Sequence, residues 1–410
     1  MNTKGPPKKF YIKTFGCKVN QYESEVIREG FLKKGYIEAS SIDDAQYVAV
    51  NTCTVTSKSD SKSLRSIKSS MSKKDRVVIA TGCMIESKDF DINSIKGVDL
   101  IVKNIHKYKI TDLLDDKTPK DEEHSISEFG KHTRVFIKVQ DGCNNRCSYC
   151  KVRIVRGVSK SRKIQAILKE CAKLIESGTR EIVFTGICLG AYGRDLSPRT
   201  SLVELIKKLS KMDGEWRLRL SSIEPKDITE GLIAELVKNK KLCKHLHLPF
   251  QSGDDTVLKR MDRPYKSKDY IGIVNRLRKA VPDIAISTDI MIGFPGETEE
   301  RFLNTLDFLK EAKPMRIHVF PFSRRPGTKA FAFTGDMKGE CVRRREKDIL
   351  GLSKSLSEDF RRRFIGKEVE VLVEERSKTH GLLEGYTDKY IRAKVKGPDS
   401  LKGTIVRSRI

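Results

Sequence analysis

The sequence predicts an α/β protein in three parts: an N-terminal parallel-sheet domain, a central βα barrel, partial or complete, and a small C-terminal β-barrel. Three observations carry this. Short apolar runs alternate with helix-length segments over 8–115 and again over 134–360, the pattern of strands joined by crossover helices. The polar, charged stretch 116–133 has no periodicity and reads as a linker. From about 366 the texture changes to short strand-like runs broken by glycine, which sets the last unit at 361–410. A chain of 410 residues can supply each part with its own core.

In the first part, Lys9–Thr14 is expected as a strand, followed by Gly16-Cys17 and a helix over Tyr22–Lys34 that ends at Gly35. Gln46–Val50 is a second strand, followed by Asn51-Thr52-Cys53, and Ser59–Met71 is a polar helix bearing Lys and Arg. Arg76–Ala80 is a third strand, followed by Gly82-Cys83. Cys17, Cys53 and Cys83 thus each fall just past a strand. In a parallel sheet those ends share one edge, where ligands bind. Gly16 and Gly82 suit tight turns against a bulky ligand. Buried structural cysteines are the alternative, but three equivalent positions favour one shared cluster.

In the second part, strands are expected at 134–140, 181–185, 216–221, 245–248, 284–291 and 315–320. Helices are expected at 163–177, 201–211, 228–238, 268–281 and 299–311. This gives a βα barrel or an open doubly wound sheet, and in both the active edge lies at the strands' C-terminal ends. The loop leaving the first strand is DGCNNRCSYC, which spaces Cys143, Cys147 and Cys150 as CxxxCxxC. Three thiolates can bind three irons of a 4Fe-4S cube and leave the fourth open, whereas structural zinc takes four protein ligands and no further Cys or His lies nearby in sequence. A zinc knuckle with a distant fourth ligand is the alternative. On the same edge, Glu224 and Gln251 are candidates for a ligand's polar groups, and the turn containing Gly293 and Gly296 for backbone approach to a nucleoside. His245 and His247 share a strand face and read as structural or pocket histidines. Cys188 follows the second strand, in a position to line the site; Cys171, Cys243 and Cys341 have no partner pattern, and all four read as incidental.

Lys and Arg number 81 against 55 Asp and Glu, a formal charge of +26 that points to nucleic acid or another polyanion. No apolar run approaches a membrane span, and MNTKGPPKKF lacks the apolar segment of a signal peptide. Ten cysteines in such a chain suit a reducing cytoplasm. Arginine runs 343–345 and 361–363 read either as a solvated face or as a binding patch. The last part shows strands at 368–373, 390–395 and 404–409, bearing Arg392, Lys394, Arg407 and Arg409 as candidate RNA contacts.

FGCKVNQYES (15–24), NTCTVT (51–56), GC (82–83), DGCNNRCSYC (141–150), HLHLPFQSGDDTVLKRMDRPY (245–265), DIMIGFPGETEE (289–300) and SRRPGTKA (323–330) together resemble the radical S-adenosylmethionine methylthiotransferases. The resemblance implies a Rossmann- or flavodoxin-like cluster domain, a radical-SAM partial barrel and a TRAM-like RNA-binding barrel. It further implies two 4Fe-4S clusters, the second on Cys17, Cys53 and Cys83 as sulfur donor, with S-adenosylmethionine as cofactor. NTCTVT and the helix after it look most like the branch acting on threonylcarbamoyladenosine beside the tRNA anticodon. Relatives act on isopentenyladenosine or on a ribosomal-protein aspartate, and an iron–sulfur RNA-binding protein without catalysis is the reading of another class. Implied partners are tRNA, an electron donor such as flavodoxin or ferredoxin, and a sulfide source. One departure is Lys151-Val152-Arg153, where the family has two aliphatics and a proline; Arg156-Gly157 is kept. Iron and sulfide analysis of anaerobically reconstituted protein is expected to give about eight irons per chain. About four, unchanged when Cys17, Cys53 and Cys83 become Ala, would refute the sulfur-donor role.

Overall fold

The N-terminal apolar runs form one parallel sheet in the computed structural model, which describes residues 7–73, 75–88, 90–91, 95–115, 124–130 and 133–410. Its strands are β1 (Lys9–Thr14), β2 (Ile37–Glu38), β3 (Tyr47–Thr52), β4 (Val77–Gly82) and β5 (Leu100–Val102), in the order β2-β1-β3-β4-β5. Parity along β3 shows the sandwich. Ala49 packs with Ile27 and Phe31 of α1 (Lys18–Lys33) and Ile110 of α3 (Ile110–Leu113), whereas Val48 and Val50 pack with Ile67 of α2 (Ser57–Ser70). Both long helices start earlier than their expected positions. Thr56 caps α2, its side chain accepting the Ser59 N–H, and Cys17, in extended conformation, takes the N-cap of α1 without a side-chain bond. Cysteine is not a usual cap, so the pattern does not announce it.

Helix α1 serves two cores. Ile27 and Phe31 belong to the sheet, while Tyr22 and Val26 are buried in the apolar core of the barrel. The barrel begins with β6 (Arg134–Asp141), which carries β7 (Lys160–Ser161) antiparallel at its end and pairs in parallel with β8 (Glu181–Gly186). β9 (Arg217–Leu220) follows on β8, and β10 (His245–His247), β11 (Ala285–Ile292) and β12 (Arg316–Pro321) form a second parallel set. Single bridges Leu218–Leu242 and Ser222–His247 join the two sets. Six parallel strands therefore stand in chain order, with Ile137, Phe184, Leu218, Leu246, Ile286 and Ile317 of successive strands in one core. No β6–β12 pairing occurs among the described residues, so the barrel is partial; α1 packs on β6, and the last long helix, Gly339–Arg362, packs on β12. The connecting helices are α4 (Val152–Arg156), α5 (Ile164–Glu176), α6 (Leu202–Leu209), α7 (Glu230–Lys238), α8 (Asp255–Arg260), α9 (Ser267–Ala280) and α10 (Glu299–Ala312), and Gly339–Arg362 is α11.

Of the stretch read as a linker, 116–123 and 131–132 lie outside the described residues. Within 124–130, Ile126 and Phe129 are buried in the barrel core, and the Ile126 N–H donates to Glu170 at 2.7 Å. The arginine runs are engaged within the protein: Arg345 is buried and paired with Glu297 and Glu299, and Arg362 and Arg363 pair with Asp359 and Asp283. No helix among the described residues is long and apolar enough to cross a membrane.

The C-terminal part is an antiparallel sheet of β13 (Glu368–Arg376), β14 (Leu382–Thr387), β15 (Arg392–Lys396) and β16 (Ile405–Arg409), ordered β15-β14-β13-β16 and curled as a small barrel. β14 is absent from the sequence pattern because Gly385 reads as a break. In the fold it marks a close crossing: a Cβ there would lie 1.8 Å from the Leu372 carbonyl oxygen. This sheet closes the barrel rim formed by the strand starts, opposite the cysteine loops. There Glu181 accepts from Arg217 and Arg219, each at 2.6 Å. Both guanidiniums donate onward to the β14–β15 turn, Arg217 to the Tyr386 carbonyl (2.8 Å) and Arg219 to those of Thr387 (3.1 Å) and Asp388 (2.8 Å).

Burial alone would raise Glu181, but Arg219 and Arg217 hold its pKa at about 2. A depressed folded value means that this stabilisation is complete above the unfolded value of about 4.3 and is lost as pH falls through about 2. Glu181→Gln leaves two buried cations unpaired and is expected to cost about 3–5 kcal/mol at neutral pH. Denaturant unfolding and protease exposure of the C-terminal sheet measure this; a variant as stable as the parent at neutral pH would rule the clamp out.

Candidate iron–sulfur site

β1, β3 and β4 are adjacent and end level, Thr14 pairing with Asn51 and Thr52 with Gly82. The residues that follow are the N-terminal cysteines. Gly82, at φ +99°, crosses β3 so closely that a Cβ would lie 2.5 Å from the Thr52 backbone. A Cβ on Gly16, also at φ +99°, would meet Cβ and Sγ of Cys53 at 2.9 Å, so the Cys17 loop lies directly on the second cysteine. Asn20, one helical turn after Cys17, ties the turns together by donating to the carbonyls of Phe15 (2.7 Å) and Thr52 (2.9 Å). Asn51 donates back to the Asn20 carbonyl and to Ser24, both at 3.0 Å.

The barrel trio sits on the loop between β6 and α4. Gly142, at φ +67°, brings the loop's two ends together, and the Cys143 N–H donates to the Gly157 carbonyl at 3.1 Å. The Cys150 N–H donates to the Cys147 carbonyl at 3.1 Å. Arg263 approaches Cys147 Sγ at 3.9 Å and bonds Glu224 at 3.0 Å, and Tyr265 adds a second bond to Glu224 at 3.3 Å. Cys188, which follows the second barrel strand, is a free thiol beside the free thiol of Cys143. Its proximity, against burial, holds Cys143 down at about 7, and Cys188 is pushed well up in turn.

A cavity of about 240 Å³ lies between the two halves. Cys17, Cys53 and Cys83 line one side, and Cys150, Gln251 and Met291 line the other; Cys143 and Cys147 do not line it. Among the described residues, no group of three or more His, Cys, Asp or Glu side chains is close enough to hold a metal ion. Three thiols after adjacent strands and three on one loop are the numbers that cubes with an open iron take. Burial pushes Cys83 up to about 11 and Cys150 to about 12, and it also raises Cys53 and Cys147. Such thiols bind iron only as thiolates, the metal taking the place of the proton that burial otherwise retains.

The remaining candidates separate. Gln251 has a left-handed backbone at φ +71°, and its Oε1 is buried without a partner among the described residues, which a ligand N–H would satisfy. Gly293 and Gly296 take φ +73° and +89° after β11 but do not line the cavity. Gly293 donates to Glu297 at 3.3 Å, and a Cβ on Gly296 would press on Arg260 Nε at 2.8 Å. His245 and His247 share Ser287 Oγ at 3.0 Å each, and His247 lies 3.1 Å from Asp289. On the C-terminal sheet, Arg392 pairs with Glu384 and with Glu375 (3.5 Å), Lys394 donates to Thr379 (2.8 Å), Arg407 lies 3.9 Å from Glu368, and exposed Arg409 stands opposite Glu368 in register. The sequence reading did not single out Asn20 and Arg263. Asn20 alone carried a signal, its spacing of three from Cys17 on a helix.

Residues 137–309 match the radical SAM superfamily, and residues 9–103 match an uncharacterized protein family, UPF0004. The chain is 35% identical over 417 residues to threonylcarbamoyladenosine tRNA methylthiotransferase MtaB of Bacillus subtilis, covering 97% of this chain and 92% of that one. To the protein of the same name from Thermotoga maritima it is 38% identical over 400 residues, covering 93% and 90%. To tRNA-2-methylthio-N(6)-dimethylallyladenosine synthase of Aquifex aeolicus it is 34% identical over 425 residues, covering 98% and 96%. In fold it is similar to the radical S-adenosylmethionine methyltransferase TsrM of Kitasatospora setae, solved with cobalamin and a [4Fe-4S] cluster bound (TM-score 0.58, 14% identity, 79% of this chain and 77% of that one). Matched at these identities along nearly its whole length, the chain belongs to the radical S-adenosylmethionine methylthiotransferases, a family of enzymes.

Proposed function

We propose that this enzyme converts N6-threonylcarbamoyladenosine beside the tRNA anticodon to its 2-methylthio derivative, and that it does so with two 4Fe-4S clusters. The observation that carries the reading is the single cavity onto which Cys17, Cys53, Cys83 and Cys150 all open. Cys143, Cys147 and Cys150 would hold one cluster and Cys17, Cys53 and Cys83 the other. Bound there, a cluster and S-adenosylmethionine supply the one-electron chemistry that an adenine C2–H bond requires, since no acid or base activates it.

The chain's own contribution is to hold, orient and exclude water. Gln251 would offer its unpartnered Oε1 to an N–H of S-adenosylmethionine. Glu224 would present a carboxylate whose place is fixed by Arg263 and Tyr265. The Gly293–Gly296 turn would let backbone come close to the same ligand. Met291, Phe320 and Phe322 make part of the cavity wall apolar, which suits both a base ring and the exclusion of water from a radical step.

The charge of +26 supports tRNA as substrate, with Arg392, Lys394, Arg407 and Arg409 as phosphate contacts. The division into 8–115, 134–360 and 361–410 would assign the second cluster, the radical chemistry and RNA contact in that order. An electron donor such as flavodoxin or ferredoxin and a sulfide source complete the partners, in a reducing cytoplasm. The threonylcarbamoyl branch is supported by Asn51–Thr56 and by the names of the two MtaB relatives.

The test is mass spectrometry of tRNA nucleosides from cells with and without the gene. Loss of the methylthio-threonylcarbamoyl nucleoside is expected. Loss of the isopentenyl counterpart instead would move the enzyme to the other tRNA branch, and an unchanged nucleoside profile would remove tRNA as substrate.

A further inference from the structure

Arg156 stands where the two halves of the site meet. It ends α4, the short helix leaving the Cys143–Cys150 loop, yet its side chain reaches across to the N-terminal sheet and is only 2% exposed. Nε donates to Cys83 Sγ at 3.2 Å. Nη1 donates to Glu23 at 2.9 Å and to Asp141 at 3.1 Å. Nη2 donates to the second Glu23 oxygen at 3.0 Å and to Asn20 Oδ1. Every edge of the guanidinium is used, and each partner flanks a cysteine. Asn20 and Glu23 follow Cys17 along one face of α1, and Asp141 precedes Cys143.

An N–H aimed at a ligating sulfur, with a positive charge behind it, stabilises the more negative state of a cluster and raises its reduction potential. The bidentate hold on Glu23 and the bond to Asp141 also fix the barrel loop against the Cys83 turn. We infer that Arg156 is a positioning residue that tunes the Cys17/Cys53/Cys83 cluster and sets its place relative to the Cys143–Cys150 loop. This rests on the proposed second cluster. Lysine cannot substitute, because it brings the charge without the planar fork that reaches Cys83, Glu23 and Asp141 together. Removing Arg156 still leaves Glu23 paired with Lys107 at 2.6 Å and Lys138 at 3.0 Å, which favours a folded variant.

The experiment is a redox titration followed by electron paramagnetic resonance. It uses the full-length chain with C143A, C147A and C150A, so that any remaining cluster belongs to the other trio. Iron analysis comes first and is expected to give about four irons per chain. No iron would refute the second cluster itself, and this inference with it. With iron present, R156Q is expected to lower the midpoint enough to change the oxidised-to-reduced ratio about tenfold at fixed potential, about 59 mV for one electron. R156K is expected to shift it the same way by less. A shift in R156Q alone would assign the effect to the charge without the fork and would overturn the positioning role. Unmoved midpoints in both variants overturn it, and if R156Q does not fold, an unmoved midpoint in R156K overturns it alone.

Discussion

One buried carboxylate, Glu23, holds the two halves of this enzyme in register. It is 1% exposed and meets Lys107, Lys138 and Arg156. Burial alone would raise its pKa, yet Arg156, Lys107 and Lys138 hold it well below the carboxylate range. Such buried charge clusters seldom add net stability over an apolar core, because desolvation consumes most of the attraction. What they impose is geometry. The apolar contacts of Tyr22 and Val26 with the barrel core would tolerate small slides, whereas a carboxylate with three cations from separate elements is satisfied in one arrangement only. Cys17 lies at the start of the same helix, and Asp141 and Arg156 flank the barrel's cysteine loop. The spacing between the two thiol trios is therefore set electrostatically.

The sequence made the cysteines readable because their position depends only on local alternation. Strands followed by short turns place Cys17, Cys53 and Cys83 at one edge whatever packs around them, and the spacing of Cys143, Cys147 and Cys150 speaks for itself. The parallel sheet and the partial barrel were legible for the same reason. Long-range pairings were not. Asn20 and Glu23 belong to a recognisable motif, but their partners Asp141 and Arg156 lie far along the chain, and no periodicity links them. The left-handed backbone of Gln251 and the approach of Cys188 to Cys143 likewise arise only from tertiary contacts. Glycine misled in one place, since Gly385 signals a close crossing within a strand and not its end.

The C-terminal sheet raises a question of direction. It is anchored by Arg217, Arg219 and Glu181 at the barrel rim opposite the cysteine loops, so the RNA contact proposed for it would require the nucleic acid to reach around the barrel to the cavity. Its outward arginines are paired across strands: Arg392 with Glu384, Arg407 near Glu368 and Glu370. The Arg407 pairs are exposed and worth at most about 1 kcal/mol, so a phosphate would replace those glutamates at small cost, whereas Arg392 meets the buried Glu384. The pairing orders the face in the free protein and leaves Arg407 exchangeable.

The same economy of contacts holds the loop after Cys150, where the family resemblance leads to the expectation of a proline. A proline in an ordered loop contributes about 0.4–1 kcal/mol, mainly by restricting the unfolded chain. Here the loop is already closed as a ring. The Cys143 N–H reaches the Gly157 carbonyl, Arg156 pairs with Asp141, and Gln140 bonds both the Gly142 carbonyl (2.8 Å) and Ser159 (2.9 Å). Its middle is fastened as well, Ser148 donating from its N–H to the Met261 carbonyl and from its hydroxyl to that of Arg260. Val152 can then begin a helix directly after the cysteines, and that helix delivers Arg156 to Cys83. With both ends and the centre held, the folded loop keeps its shape without a proline, and what its absence forgoes is only the unfolded-chain effect of about 0.4–1 kcal/mol.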